Sequence, residues 1–323
     1  MKWIVGVSLV AVIVGAAATM TIPAQTIAPD QTVMKLFPAE TQGIAFIDAA
    51  AVRNSALGQD FIAAGLIANP PPKLAEFAAA TGFDFQRDVD RMTVGRLDGR
   101  RMLFVIEARY DKFKVERFLA DHVTRLETHM GRSIYEDRDQ DIGVTFIDNL
   151  VIAGYTGAVR TAIEQASLPA SAVSLNSDLL ATMRTIEAGN QVWGVGKFRF
   201  DELPVGQLTP DTPGAAPVLE LLRTLQGGTY QMRIDRDVHA RATANFADAD
   251  SAKTLADLAR GLIAVMKTQV AKENEDFLHA LDGIQISDSG TQMVVNIEES
   301  GDLIKKLRDL RPPRRAFLRR DGN

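Results

Sequence analysis

Acidic residues at alternate positions form the sharpest chemical pattern in this chain. Asp137, Asp139 and Asp141 are followed by Asp148 at the twelfth position, a spacing that resembles the way calcium loops gather hard oxygen ligands around one ion. The sixth position is Ile142, where such loops need glycine, so a solvated acidic connection between strands is the competing interpretation. The sequence therefore predicts no metal centre and no cofactor, with these four acidic residues as the one calcium candidate.

Other catalytic patterns are absent from the sequence. There is no G-x-S-x-G elbow, no S-x-x-K and no P-loop, and the pair Gly194 and Gly196 lies within a strand pattern rather than before a helix. The histidines lack any short metal-ligand spacing; they are His122, His129, His239 and His279. Carboxylates at strand ends, namely Asp48, Glu107 and Asp201, leave open an unrecognised hydrolase, because the sequence does not show whether they converge.

The C-terminal end is strongly basic. Residues 305–320 contain eight basic side chains and one acidic one, and Pro312-Pro313 ends the last helix before the tail. Such a segment can bind an anionic lipid, a polysaccharide or an acidic partner, or it can be a solvated end. The residues that would contact an anionic surface are Arg311, Arg314, Arg315, Arg319 and Arg320.

The first residues direct the chain to a membrane. Lys2 precedes an uncharged apolar run of 18 residues, from Trp3 to Met20, and Ala16 and Ala18 have the A-x-A spacing of a signal-peptidase site. The run is long for a signal peptide and just long enough for an anchor. A cleaved signal peptide and an uncleaved membrane anchor therefore both stay open, and both place the body outside the cytoplasm, in the periplasm or on the inner membrane.

Composition supports a folded, exported protein. The chain has no cysteine, which excludes disulfides, thiolate metal sites and a cysteine nucleophile, and it favours a bacterial envelope over a eukaryotic secretory route. It is 46% hydrophobic and 24% charged, as in ordinary globular domains. The net charge is −5 although the tail is basic, so the body is acidic, which argues against nucleic-acid binding.

The elements occur twice in the same order. Each half has a strand, a hairpin, a long helix, a second hairpin and a closing helix, with turns at Asp98-Gly99 and Asp148-Asn149 in the first half. The pattern predicts an α+β fold of two similar units. Each is an antiparallel sheet with helices packed on one face, and the two units can share a continuous sheet. Specific expectations include a strand at Gly43–Asp48 and helices at Ala50–Ala68 and from Asp111 to about His129.

This organisation divides the chain into five segments. Residues 1–24 are the signal peptide or anchor and residues 25–40 a linker. The first α+β unit spans residues 41–170 and the second spans residues 171–310, followed by the basic tail, 311–323.

Three stretches carry a resemblance to known proteins. The run from Leu36 to Asp48 with Val52–Ser55, the run Ala247–Lys253 before a long helix, and the closing strand Gly290–Ser300 resemble exported bacterial proteins of unknown function, including those common in acidobacteria. The resemblance implies export and duplicated α+β units. It implies no catalytic residue.

Together these patterns predict a non-catalytic envelope protein that binds or scaffolds. Its partners would be the membrane, if the leader is uncleaved, and an envelope protein or an anionic surface, through the tail. An alternative is a periplasmic carrier of a lipid or other apolar ligand held between sheet and helices. Its lid would be formed by Phe61–Ile67 and the proline-rich loop Leu203–Pro217.

Overall fold

Twelve strands form one continuous antiparallel sheet. The computed structural model describes residues 29–63, 72–98, 101–197, 215–270 and 275–309. Across the sheet the strands follow the order β11-β12-β10-β9-β8-β1-β2-β3-β7-β6-β5-β4. The strands are β1 (Gly43–Asp48), β2 (Val89–Arg96), β3 (Met102–Ala108), β4 (Arg125–His129), β5 (Arg132–Asp137), β6 (Ile142–Ile147), β7 (Leu150–Tyr155), β8 (Val192–Lys197), β9 (Leu225–Ile234), β10 (Asp237–Phe246), β11 (Ile284–Ser289) and β12 (Gln292–Ser300).

The two halves of the sheet mirror each other about the pair β1–β8. Outward from this pair the order is β1-β2-β3-β7-β6 on one side and β8-β9-β10-β12-β11 on the other. The hairpin β4–β5 extends the first half only. The structure thus confirms the α+β class and the sharing of one antiparallel sheet by two similar units.

The described helices connect these strands. Asp111 accepts a hydrogen bond from the backbone N–H of Lys114 at 3.2 Å, and Asn176 from that of Asp178 at 2.7 Å, so each side chain caps the helix that follows it. The helices are α1 (Gln31–Met34), α2 (Ala49–Arg53), α3 (Ala56–Ala63), α4 (Pro72–Thr81), α5 (Phe85–Asp88), α6 (Lys112–His122), α7 (Thr156–Ala166), α8 (Ser177–Met183), α9 (Ala215–Arg223), α10 (Ala249–Val270), α11 (Glu275–Asp282) and α12 (Gly301–Asp309).

The main core lies on one side of the sheet, here called face A, which carries Ile44, Phe46, Trp193 and Val195. Helices α7 and α8 cover these strands, and the side chains between them form one buried cluster. This cluster includes Leu175 and Leu179, which come after residue 170, so the core continues across the boundary expected between the two units.

Face B, the opposite side, carries Ile47, Met92 and Phe104 in the first half. Helices α4 and α6 cover its outer part, around Phe146. In the second half α10 covers face B over β10, β11 and β12. The first half therefore has helices on both faces, whereas the long helix of the second half lies on face B.

The described part of the expected linker, residues 29–40, belongs to the core. Helix α1 buries Val33 and Met34, and Leu36 and Phe37 follow them into the cluster on face A. The Lys35 ammonium donates hydrogen bonds to the carbonyl oxygens of Ala166 and Leu168, at 3.0 and 2.5 Å, and thereby caps the C-terminus of α7. The linker prediction is wrong for these residues, because their apolar side chains fill the space above β1 and β2.

Two predicted helices also differ from the structure. The helix that begins after Asp111 ends at His122, and residues 125–129 form β4 instead, paired with β5. The helix expected over residues 50–68 is interrupted at Asn54 and Ser55, which separate α2 from α3. The described part of α3 ends at Ala63.

Candidate ligand-binding pocket

An apolar pocket lies between face B of the first half and the helices that cover it. Strands β2, β3, β6 and β7 form its floor, and α4, α6 and the segment around α5 form its roof. Its volume is about 190 Å³. The floor residues are Val89, Met92, Ile106, Ala108, Val144, Phe146, Val151 and Ala153. The roof residues are Leu74, Phe77, Phe83, Phe85, Tyr110, Val115 and Leu119.

Aromatic rings build the roof. Phe77 of α4 contacts the other three rings. Its ring centroid lies 5.8 Å from that of Phe83, 5.8 Å from that of Phe85 and 5.3 Å from that of Phe118 on α6. Phe83 and Phe85 meet edge to face at 4.8 Å. Such packing is favourable beyond the burial of area, so the rings hold α4 and α6 together above the cavity.

Polar groups stand at the edge of the pocket rather than inside it. Burial, with the nearby charge of Glu116, raises the pKa of Tyr110, whose hydroxyl is the one polar side-chain group among the lining residues. At the outer side of the roof, His122 Nε2 of α6 lies 3.4 Å from Glu76 Oε1 of α4. The lining therefore suits an apolar ligand, and it brings together no acid, base and nucleophile.

The structure separates the four residues of the calcium hypothesis. Asp137 ends β5, and its carboxylate accepts hydrogen bonds from Asp139 N at 3.1 Å and Gln140 Nε2 at 2.6 Å within the β5–β6 turn. Asp148 lies in the β6–β7 turn, at the other end of a six-residue strand, which is about 20 Å long. One ion cannot be reached by ligands from both turns. In the described chain, no group of three or more potential metal-binding side chains is found.

The carboxylates expected at strand ends do not form an acid–base pair. Asp48 and Glu107 both lie beside Arg91, at 3.5 and 3.4 Å from its guanidinium nitrogens, because β1, β2 and β3 place the three residues in one row. Burial raises the pKa of Glu107, and the charge of Arg91 opposes that shift. Asp201 lies outside the described residues. The arginine between the two carboxylates makes this a structural ion-pair row rather than a hydrolase site.

Two side chains of β4, Glu127 and His129, attach the outer hairpin to helix α7. Glu127 on β4 makes a bidentate ion pair with Arg160 of α7, at 3.0 and 2.9 Å, which fastens the outer hairpin to the helix and lowers the pKa of Glu127. His129 extends this contact, with Nε2 3.0 Å from Glu164.

The five arginines of the basic tail and the apolar leader lie outside the described residues. Among the described helices, none is long and apolar enough to cross a membrane.

The sequence did not identify the pocket lining. The lid predicted from Phe61–Ile67 and the proline-rich loop falls largely outside the described residues, and α4 and α6 supply the described roof instead. The sequence signal for the pocket was the group Phe77, Phe83 and Phe85. Three phenylalanines within nine residues are more than one short helix needs in order to pack one face against a sheet.

Comparison with known proteins identifies no family for this chain. No family model matches the chain, and no curated protein sequence matches it. Among solved structures, crystal form I of TP0453 is 8% identical with a TM-score of 0.47, and it matches over 87% of this chain and 96% of that one. Crystal form III of TP0453 is 10% identical with a TM-score of 0.46, over 85% and 96% of the two chains. At this distance the likeness carries no argument about a ligand or a partner.

Proposed function

We propose that this chain is an exported, non-catalytic binding protein of the bacterial envelope, and that its pocket on face B takes an apolar ligand such as an acyl chain. The observation that carries the ligand proposal is the lining, which is aliphatic and aromatic on both floor and roof. Its volume of about 190 Å³ exceeds that of an engineered apolar cavity of about 150 Å³ that stays dry and binds benzene.

The size of the pocket limits the ligand. A volume of about 190 Å³ lies below the roughly 300–1,000 Å³ of sites that enclose a whole drug-sized ligand. The pocket therefore suits one chain or ring, with a polar head outside, near the His122–Glu76 contact. Burial of each methylene contributes about 0.8 kcal/mol, so a short chain suffices for measurable binding.

Filling the pocket should weaken ligand binding. Ala153 lies on the floor, and Ala153→Phe places a ring in the cavity without adding charge. We expect displacement of N-phenyl-1-naphthylamine by decanoic acid in the unaltered protein, and at least a tenfold weaker affinity for both compounds in the variant. Ala80→Phe, on the exposed side of α4, is the matched control and should bind as the unaltered protein does.

Thermal unfolding of both variants checks that they fold. Phe77→Ala gives a second test, because it enlarges the pocket. The variant should bind fatty acids with longer acyl chains in preference to decanoic acid. Failure of decanoic acid to displace the dye from the unaltered protein would refute the ligand proposal, as would equal binding by a folded Ala153→Phe protein.

The envelope location rests on the apolar leader, and the proposed contact with an anionic surface rests on the basic tail. Fractionation of cells should place the protein outside the cytoplasm. A chain truncated after Leu310 should stay folded and be retained less on vesicles of phosphatidylglycerol than the complete chain. A soluble cytoplasmic product with its leader intact would contradict export, and equal retention of the two chains would contradict the role of the tail.

A further inference from the structure

A polar groove lies on face A of the second half, away from the apolar pocket. Its floor is formed by β9 and β10, where Thr229 faces Thr243 and Gln231 faces Arg241 across the strand pair. Helix α8 and the turn after it form one wall, with Glu187 at its end. The groove has a volume of about 460 Å³, which is within the usual range for a small-molecule site.

None of the helices in the described ranges crosses this part of face A, which leaves the groove open among the described residues. In the first half α7 follows β7 directly and packs over β6 and β7. In the second half α12 follows β12 directly but contacts α11 and does not line the groove. Along β10 the side chains on this face are polar, at Arg241, Thr243 and Asn245, whereas Ala244 and Phe246 pack against α10.

Gln231 is the feature that distinguishes this groove from an ordinary solvated sheet face. It is 7% exposed. Its Oε1 accepts hydrogen bonds from the backbone N–H of Glu187 at 2.8 Å and from Asn190 Nδ2 at 3.2 Å, which fixes the orientation of the amide. Its Nε2 donates to no group in the described part of the chain. Because the side chain lines the groove, this amide nitrogen can donate a hydrogen bond to a ligand there.

The other lining groups indicate the chemistry of the ligand. The hydroxyls of Thr229 and Thr243 make no hydrogen bond within the described residues, and a hydroxyl both donates and accepts. Gln292 Nε2 donates to Asn245 Oδ1 at 2.9 Å, which leaves one amide nitrogen and one amide oxygen for a ligand.

The charges of the groove balance. Arg241 and Glu187 are the two charged residues among the groove's described lining, and they form an ion pair at 3.5 Å. A phosphate or a carboxylate ligand would have to compete with Glu187 for the guanidinium. We propose that the groove binds a small neutral saccharide, whose hydroxyl groups match these neutral donors and acceptors.

The test measures sugar binding to the complete chain. We expect N,N′-diacetylchitobiose or maltose to give saturation-transfer NMR signals with the unaltered protein. Gln231→Glu keeps the oxygen that accepts from Glu187 and replaces the free donor with an acceptor, so it should weaken binding about tenfold. Thr243→Val removes one hydroxyl at constant shape and should also weaken binding. Gln285→Ala, exposed on the same face of β11 outside the groove, is the control and should bind normally.

The outcomes separate this proposal from that of the apolar pocket. The groove lies on the opposite face of the sheet, so Ala153→Phe should leave sugar binding unchanged and Gln231→Glu should leave dye binding unchanged. The saccharide proposal is overturned if neither sugar binds at millimolar concentration, or if inorganic phosphate binds there and the sugars do not. Equal sugar affinity in folded Gln231→Glu and Thr243→Val proteins would also overturn it.

Discussion

Replacement of Phe37 by alanine should lower the free energy of unfolding by about 3–5 kcal/mol, the usual cost of removing a fully buried phenylalanine. The Phe37 side chain is 0% exposed, and its ring packs directly against Gly95 of β2. A side chain at position 95 would occupy the place of this ring. The loss is large because the backbone of β2 cannot move inward to close the cavity without leaving the sheet.

Urea denaturation of the unaltered and variant proteins measures this loss. Phe113→Ala is the matched control, since Phe113 lies on α6 with its side chain 74% exposed, and it should change the stability by less than about 0.5 kcal/mol. If Phe37→Ala were as mild as Phe113→Ala, residues 33–37 would behave as the linker that the sequence suggested. The assignment of residues 33–37 to the core would then be wrong.

Local signals explain what the sequence could predict. Strand β1 has the predicted bounds, Gly43–Asp48, because it is a short apolar run between clear breaks. The hairpins β2–β3 and β6–β7 were located by the turn residues Asp98-Gly99 and Asp148-Asn149. These turns set which strands are neighbours, and the repeated order of the elements then predicted the class of the fold.

Pairing within a hairpin explains the main error in secondary structure. The stretch from Asp111 to His129 fits a helical pattern, and Leu126 would extend its apolar side. In the structure Leu126 is 56% exposed on β4, a strand that exists because it pairs with β5. Strand formation depends on the partner more than on the segment itself, so a single stretch of sequence does not reveal it.

The sequence did not reveal the candidate sites because each is assembled from segments that are distant along the chain. The floor of the apolar pocket comes from four strands and its roof from separate helices, and no residue spacing in the sequence indicates that these elements pack together. The polar groove likewise depends on where α12 packs, since α7 covers the corresponding region in the first half. The residues of the calcium hypothesis show the opposite case, because they are close in sequence but the length of β6 separates Asp148 from the other three.

Substitution of Gly154 by alanine should be among the most damaging single changes to the first half. Gly154 of β7 has φ of +140°, a conformation that other residues rarely adopt. A Cβ at this position would lie 3.1 Å from Leu103 Cα and far inside contact distance of the Met102 carbonyl oxygen. Both groups are backbone of β3, so relief requires the separation of two central strands. Strain and overpacking together should cost more than about 3 kcal/mol.

A second glycine provides the control for this change. Gly261 lies within α10, where an added Cβ meets no atom within 4 Å, so Gly261→Ala should stabilise the protein by about 0.5–1 kcal/mol. Chemical denaturation of the two variants measures the free energy of unfolding. The same glycine-to-alanine substitution should lower it at position 154 and raise it at position 261. A Gly154→Ala protein as stable as the unaltered one would show that β3 and β7 are not paired as closely as described. The floor of the apolar pocket, which these strands share, would then have to be placed differently.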